Sequence, residues 1–134
     1  LEGVFELTGR LADDMGDELE GEGLTQARAE LLWRLHVAGP STQRALSEAL
    51  RCTPRNVTGL VDALEAAGLV RREPHPEDRR AMLVTLTPQG EKLLARWREG
   101  YEQLAGRLFG DVSAGDLRGF HATLSHMLEQ LRRQ

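Results

Sequence analysis

A length of 134 residues allows one domain or two small lobes that bury about two-thirds of the unfolded surface, and a composition 40% hydrophobic and 28% charged is that of a globular chain. No apolar run approaches the ~20 residues of a membrane span, and the one cysteine, Cys52, excludes an internal disulfide framework and points to a reducing, cytoplasmic setting; since the chain opens on Leu1, targeting by a preceding leader stays open. The formal charge of −4 would argue against a polyanionic partner, but Glu2, Glu6, Asp13, Asp14, Asp17, Glu18, Glu20, Glu22 and Glu30 face only Arg10 and Arg28 at the start of the chain, which leaves the remainder net positive.

Residues 4 to 19 place Val4, Leu7, Leu11, Met15 and Leu19 at spacings of three and four with acids on the other side, an amphipathic helix that wants a partner. The segment GEGLT breaks it. Thr25 then caps a second helix running to about Ala38, with Leu31, Leu32 and Leu35 inward, and Gly39-Pro40 ends that helix. A third, short helix is expected from Ser41 or Thr42 to Leu50, with Ala45, Leu46 and Leu50 as its apolar side, followed by a tight turn through Arg51, Cys52 and Thr53. Cys52 reads as a small buried filler or as a redox handle.

Residues 53 to 87 form one device, a capped helix followed by a hairpin. Thr53 supplies the capping hydroxyl and Pro54 takes the first helical position, where a missing N–H costs nothing. Val57, Leu60, Val61 and Leu64 fall on one stripe, and Gly68 ends the helix in a left-handed conformation that lets Leu69 fold back onto Leu64. With that stripe inward, Arg55, Gly59, Asp62 and Ala66 turn outward, flanked by Asn56 and Thr58. A helix start carrying Arg, Asn and Thr has the chemistry for reading a major groove, since Arg pairs with guanine, Asn with adenine and Thr with a phosphate or methyl; the plain alternative is a solvated helix face. Val70–Glu73 and Met82–Thr87 read as strands, with Val84 and Leu86 on one face, around the loop PHPEDRRA. Pro74 and Pro76 stiffen that loop and present Arg79 and Arg80 for phosphate contact or a narrow minor groove, with Asp78 placed to hold the Arg80 guanidinium.

Thr87-Pro88 repeats the cap-then-proline signal and opens a long helix to about Phe109, whose Leu94, Trp97, Tyr101, Leu104 and Leu108 follow a heptad seam. After Gly110-Asp111, Ser113 with Asp116 three residues later, flanked by Val112 and Leu117, starts a last helix bearing Leu117, Phe120, Leu124, Met127 or Leu128, and Leu131. These stripes exceed what a small lobe can cover, which predicts a homodimer over an intramolecular three-helix bundle, with Val4, Leu7, Leu11, Leu104, Leu108, Leu117, Phe120, Leu124, Leu128 and Leu131 in its interface. His121 and His126 stand about 140° apart on a helix and cannot share a metal, and no Gly-rich phosphate loop, GxSxG or HExxH occurs. No enzyme, metal or cofactor is expected.

The run NVTGLVDALEAAGLVRREPHPEDRRAMLVTLT resembles the winged helix-turn-helix of MarR-type transcriptional regulators, whose wing carries an Asp-x-Arg and then an alternating apolar strand ending Leu-Thr, here Asp78, Arg80, Val84, Leu86 and Thr87. The resemblance covers residues 24 to 90 most closely. It implies a mainly α fold with a small β-hairpin wing: a winged helix-turn-helix DNA-binding lobe over 24–87, and a helical dimerisation lobe from 1–23 and 88–134. It also implies that the third helix crosses the DNA backbone, which adds Thr42, Gln43 and Arg44 to the expected DNA-binding set of Thr53, Arg55, Asn56, Thr58, Asp78, Arg79 and Arg80. Gly59 departs from the many relatives that carry a longer polar or basic side chain there, which shifts weight to Arg55, Asn56 and the wing. The family's cleft for aromatic or phenolic effectors would be lined by Met15, Trp33, His36 and Trp97, widened where Ala29 replaces an aromatic. The reading is a cytoplasmic, dimeric regulator of a pseudo-palindromic operator in double-stranded DNA, acting as a repressor; the alternative is a winged-helix module that binds protein and not DNA.

Overall fold

The computed structural model describes residues 1–133 and is mainly helical with one small sheet, the fold class expected. In chain order the elements are α1 (Glu2–Gly21), α2 (Gln26–Ala38), β1 (Ser41–Thr42), α3 (Gln43–Leu50), α4 (Pro54–Ala66), β2 (Val70–Pro74), β3 (Met82–Leu86), α5 (Pro88–Phe109) and α6 (Ala114–Arg132). Two compact units divide inside α5, one spanning Leu1–Ala95 and the other starting at Arg96.

Local capping fixes the starts of α2, α3 and α4. The hydroxyls of Thr25, Thr42 and Thr53 accept from the amides of Arg28, Ala45 and Asn56 at 3.1–3.2 Å, each bond worth about 1 kcal/mol. Leu31, Leu32, Leu35, Leu46, Val57, Val61, Leu64 and Val84 then bury almost completely as one core. Leu60 sits at its half-exposed margin. At the end of α4, Gly68 takes φ +76°, its amide donates to Glu65 O and the Leu69 amide to Leu64 O, so that Leu69 folds under the helix as expected.

Three details differ from the sequence reading. Ser41 and Thr42 are not merely a helix start: they form β1, paired antiparallel with β3 as Ser41↔Val84 and Thr42↔Leu83, in a sheet of order β1-β3-β2. That makes β3 the central strand, so Thr85 is buried beside Val84 while Leu86 remains half-exposed. In α3, Ala45 faces solvent and Ser47 takes the inward place, because its hydroxyl donates to Cys52 O at 2.6 Å and so closes the turn. Arg51 stands in that turn at φ 51°, a left-handed conformation held by the Cys52 amide donating to Ser47 O.

Thr87 joins the end of α4 to the start of α5. Its hydroxyl donates to Gly68 O at 2.6 Å and accepts from the Gly90 amide at 3.1 Å, and its own amide donates to Leu69 O. A Cβ on Gly90 would lie 2.2 Å from Leu69 O, so only glycine lets α5 pass so close to the chain after α4.

In the second unit, Ser113 caps α6 through the Asp116 amide at 3.1 Å and the rings of Phe109 and Phe120 lie 5.9 Å apart. Among the described residues, neither α1 nor α6 buries a side chain.

Candidate nucleic-acid interface

The start of α4 is free of competing structure. Thr53 and Pro54 satisfy or remove the first donors, the first turn carries no acid, and Arg55 and Asn56 stand exposed. The Arg55 guanidinium meets no carboxylate among the described residues. Arg28, Glu30, Cys52, Arg55, Asn56 and Gly59 are among the residues that line a cleft of about 490 Å³ beside this helix start. Gly59 opens onto space: a Cβ built there would meet nothing within 4 Å.

The wing is a short hairpin with an ordered tip. Its register runs from Val70↔Leu86 to Pro74↔Met82. His75 clasps the tip, its backbone amide donating to Ala81 O and its Nδ1 accepting from the amides of Glu77 and Asp78 at 3.1 Å. Asp78 does not hold the Arg80 guanidinium, as its spacing suggests; its Oδ1 accepts from the Arg80 backbone amide at 3.0 Å, because a two-residue separation in a tight turn favours the Asx-type bond over a long side-chain reach. Arg79 and Arg80 are therefore both exposed, with guanidinium groups that no described carboxylate neutralises.

The remaining candidates fall into two groups. Thr42 and Gln43 are half-buried at the start of α3, and Arg44 is exposed with Glu48 at 3.4 Å one turn on, a weak surface pair. Gln43 and Thr58 meet directly: Gln43 Nε2 donates to Thr58 Oγ1 at 3.1 Å, and that hydroxyl in turn donates to Pro54 O at 3.0 Å. Of the residues expected to line an effector cleft, Trp33 and His36 pair with ring centres 5.4 Å apart, whereas Met15 lines a separate depression of about 380 Å³ with Leu19 and Leu24. Trp97, in the second unit, is buried with its indole N–H lacking a partner among the described residues.

Arg72 escaped the sequence reading. Its Nε donates to Gln43 Oε1 at 3.0 Å, one terminal nitrogen to Glu65 at 2.8 Å and the other to Asp62 at 2.6 Å, while its backbone amide donates to the second Glu65 oxygen at 3.1 Å. Burial works against its charge, but the hydrogen bonds and fields of Asp62 and Glu65 outweigh burial and hold its pKa above the ordinary arginine value. The available signal was that Arg72 lies in phase with buried Val70 on a period-two strand, where a charge needs a partner.

Comparison with known proteins places these features in one group. Residues 24–82 match the model of the MarR family. The HTH-type transcriptional regulator YdgJ of Bacillus subtilis is 32% identical over 105 residues, covering 78% of this chain and 64% of YdgJ. The transcriptional activatory protein BadR of Rhodopseudomonas palustris is 31% identical over 126 residues, covering 86% of this chain and 68% of BadR. A solved MarR-like regulator from Thermotoga maritima superposes with a TM-score of 0.79 at 27% identity over 98% of this chain and 96% of that one. The chain thus spans somewhat less than two-thirds of YdgJ and close to all of the solved structure.

Proposed function

The chain belongs to the MarR family, and we propose that it is a homodimeric, sequence-specific DNA-binding regulator that recognises a pseudo-palindromic operator and represses by blocking polymerase access, repression being what the names of the relatives NicR of Pseudomonas putida and YetL of Bacillus subtilis state. The observation that carries this is the pairing, in one compact unit, of an uncompensated helix start at Arg55 and Asn56 with a pinned loop that offers Arg79 and Arg80. A helix start of that chemistry suits base edges, and the tip suits phosphates or a narrow minor groove. Thr42, Gln43, Arg44, Thr53 and Thr58 position the backbone contacts around them.

Dimerisation is supported by apolar side chains that one chain leaves open: Val4 and Leu7 on α1, Leu108 on α5, and Leu117, Phe120, Leu124, Leu128 and Leu131 on α6 are all 37% exposed or more. Phe109, Leu117, Phe120 and Leu124 border an apolar trough of about 630 Å³. Surfaces of this kind mark partners, and a two-fold axis matches a palindromic site. The proposed dimerisation lobe takes in residues 1–23 and 88–134. A small aromatic or phenolic effector is the proposed releasing ligand, supported by the partly exposed Trp33–His36 pair.

The test is affinity across a salt series, for wild type, Arg55→Ala and Arg80→Ala, on a duplex selected from a random pool and on its scrambled form. Arg55→Ala is expected to cost ~1–3 kcal/mol on the selected site and to relax preference at one base position per half-site. Arg80→Ala should weaken both duplexes by similar factors and lower the salt slope by about one for each phosphate that is no longer neutralised. If neither variant changes affinity while circular dichroism shows the fold intact, the protein-binding alternative replaces this reading. A reporter transcribed from the selected site gives the sign of regulation, and activation would overturn the repressor assignment.

A further inference from the structure

Arg72 stands on the stem of the wing, yet every side-chain bond it makes leads away from the wing. One guanidinium reaches three residues on two helices: Gln43 at the start of α3, and Asp62 and Glu65 one turn apart on α4. The two carboxylates belong to the helix that carries Arg55 and Asn56, and Asp62 lies on its outward side with Arg55. Gln43 passes the link on to Thr58, so a continuous chain of hydrogen bonds runs from β2 through α3 to the second turn of α4. The side chain is 21% exposed and its partners 61% and 43%, so this is a clamp at the rim of the unit.

The geometry explains why arginine is needed. Its fork offers donors in three directions within one plane, whereas a lysine ammonium is a single point that cannot serve an amide and two carboxylates so placed. Helix α4 does not depend on the clamp for its own position, because Val57, Val61 and Leu64 anchor it in the core with no exposure. The hairpin is different. Its β3 side is held by β1, which pairs with Val84 and Leu83 opposite Arg72 and Glu73, whereas its β2 side is an edge that, past buried Val70 at the base, is tied to the unit through Arg72. The clamp therefore acts on the β2 side of the wing and leaves α4 where it is. It has an electrostatic side as well: without Arg72, Asp62 and Glu65 would present uncompensated negative charge on the face that approaches phosphates.

We propose that Arg72 is a positioning residue for DNA binding, fixing where the wing tip stands relative to the start of α4 and neutralising the acids of that helix. The proposal rests on the DNA-binding reading above. It is tested by a double-mutant cycle on the selected duplex, with Arg80→Ala and Arg55→Ala each measured in the wild-type and Arg72→Gln backgrounds. In wild type, Arg80→Ala is expected to weaken binding about tenfold; with Arg72→Gln the same change should cost less than about twofold, because a displaced tip already stands away from the DNA. Arg55→Ala should cost the same factor in both backgrounds. A residue that merely stabilised the fold would not couple to Arg80 while leaving Arg55 untouched. Should Arg72→Gln fail to fold, Arg72→Lys replaces it; it keeps the charge without the three-way geometry and should still reduce the cost of Arg80→Ala several-fold. An Arg80→Ala cost that is unchanged in the Gln or Lys background overturns the proposal on its own. Loss of both the Arg55 and the Arg80 effects in wild type would instead overturn the DNA-binding reading, and the proposal with it.

Discussion

Position 59 gives the most direct test of how the outward side of α4 is used. Glycine in a helix interior is about 0.8–1.0 kcal/mol less favourable than alanine, and that difference is normally reduced by whatever the new methyl group collides with. Here a Cβ meets nothing within 4 Å, so Gly59→Ala should deliver the whole of it. For 134 residues, an unfolding entropy of ~2.1 cal/mol/K per residue amounts to about 0.28 kcal/mol/K, which converts the gain to a rise of about 3 °C in Tm. Gly59→Lys should keep most of that gain, since lysine is nearly as good a helix former, and should add one cation beside the groove in each half-site. If both reach phosphate, the salt slope of a bound dimer steepens by about 1.8. Scanning calorimetry and anisotropy titrations from low to high salt measure the two effects separately. A melting temperature that stays put or falls in Gly59→Ala would refute the claim that this side of the helix is open. A raised Tm with an unchanged slope in Gly59→Lys would mean that α4 does not lie along the phosphates at this position.

Three further outcomes follow from individual bonds and side chains. Gly90→Ala should lower Tm, because a Cβ 2.2 Å from Leu69 O forces the start of α5 away from the end of α4; overpacking of this kind costs ~1–3 kcal/mol, and thermal denaturation by circular dichroism would contradict the reasoning if it showed no change. Leu124→Asp should raise the dimer dissociation constant by at least about a hundredfold with helical content retained, since Leu124 is 39% exposed in one chain and becomes costly only when a partner covers it; light scattering that finds a wild-type monomer at micromolar concentration would remove the dimer. Asp78→Ala should weaken DNA binding by loosening the tip, whereas Asp78→Asn should not, because an amide oxygen can still accept from the Arg80 amide. Equal weakening in both variants would restore a charge-based role for Asp78.

What could be read from the sequence and what could not divides along a physical line. The caps at Thr25, Thr53 and Ser113 and the stop at Gly68 were legible because each is a bond between residues three to five apart, decided by the chemistry of the segment itself. Both exposed arginine groups were legible for a related reason: a charge that belongs to no stripe stands outside whatever the stripe packs against. By contrast, β1 has two residues, too few for a period, and exists only because Val84 and Leu83 lie opposite. Gly90 looks like any glycine in a helix until Leu69 O arrives from twenty-one residues earlier. Arg72 is one of several charges in the hairpin, and its side-chain bonds run to Gln43, Asp62 and Glu65, which no local pattern connects to it. Ser47 displaced Ala45 from the inner side of α3 for the same reason, since the bond to Cys52 O outweighs a methyl group in choosing the phase of a helix only two turns long. The stripes on α1 and α6 extend this logic: their periodicity is as clear as that of α4, yet neither buries a described residue, so pattern alone does not say what covers them, and the second copy proposed above is the partner that the Leu124→Asp measurement tests.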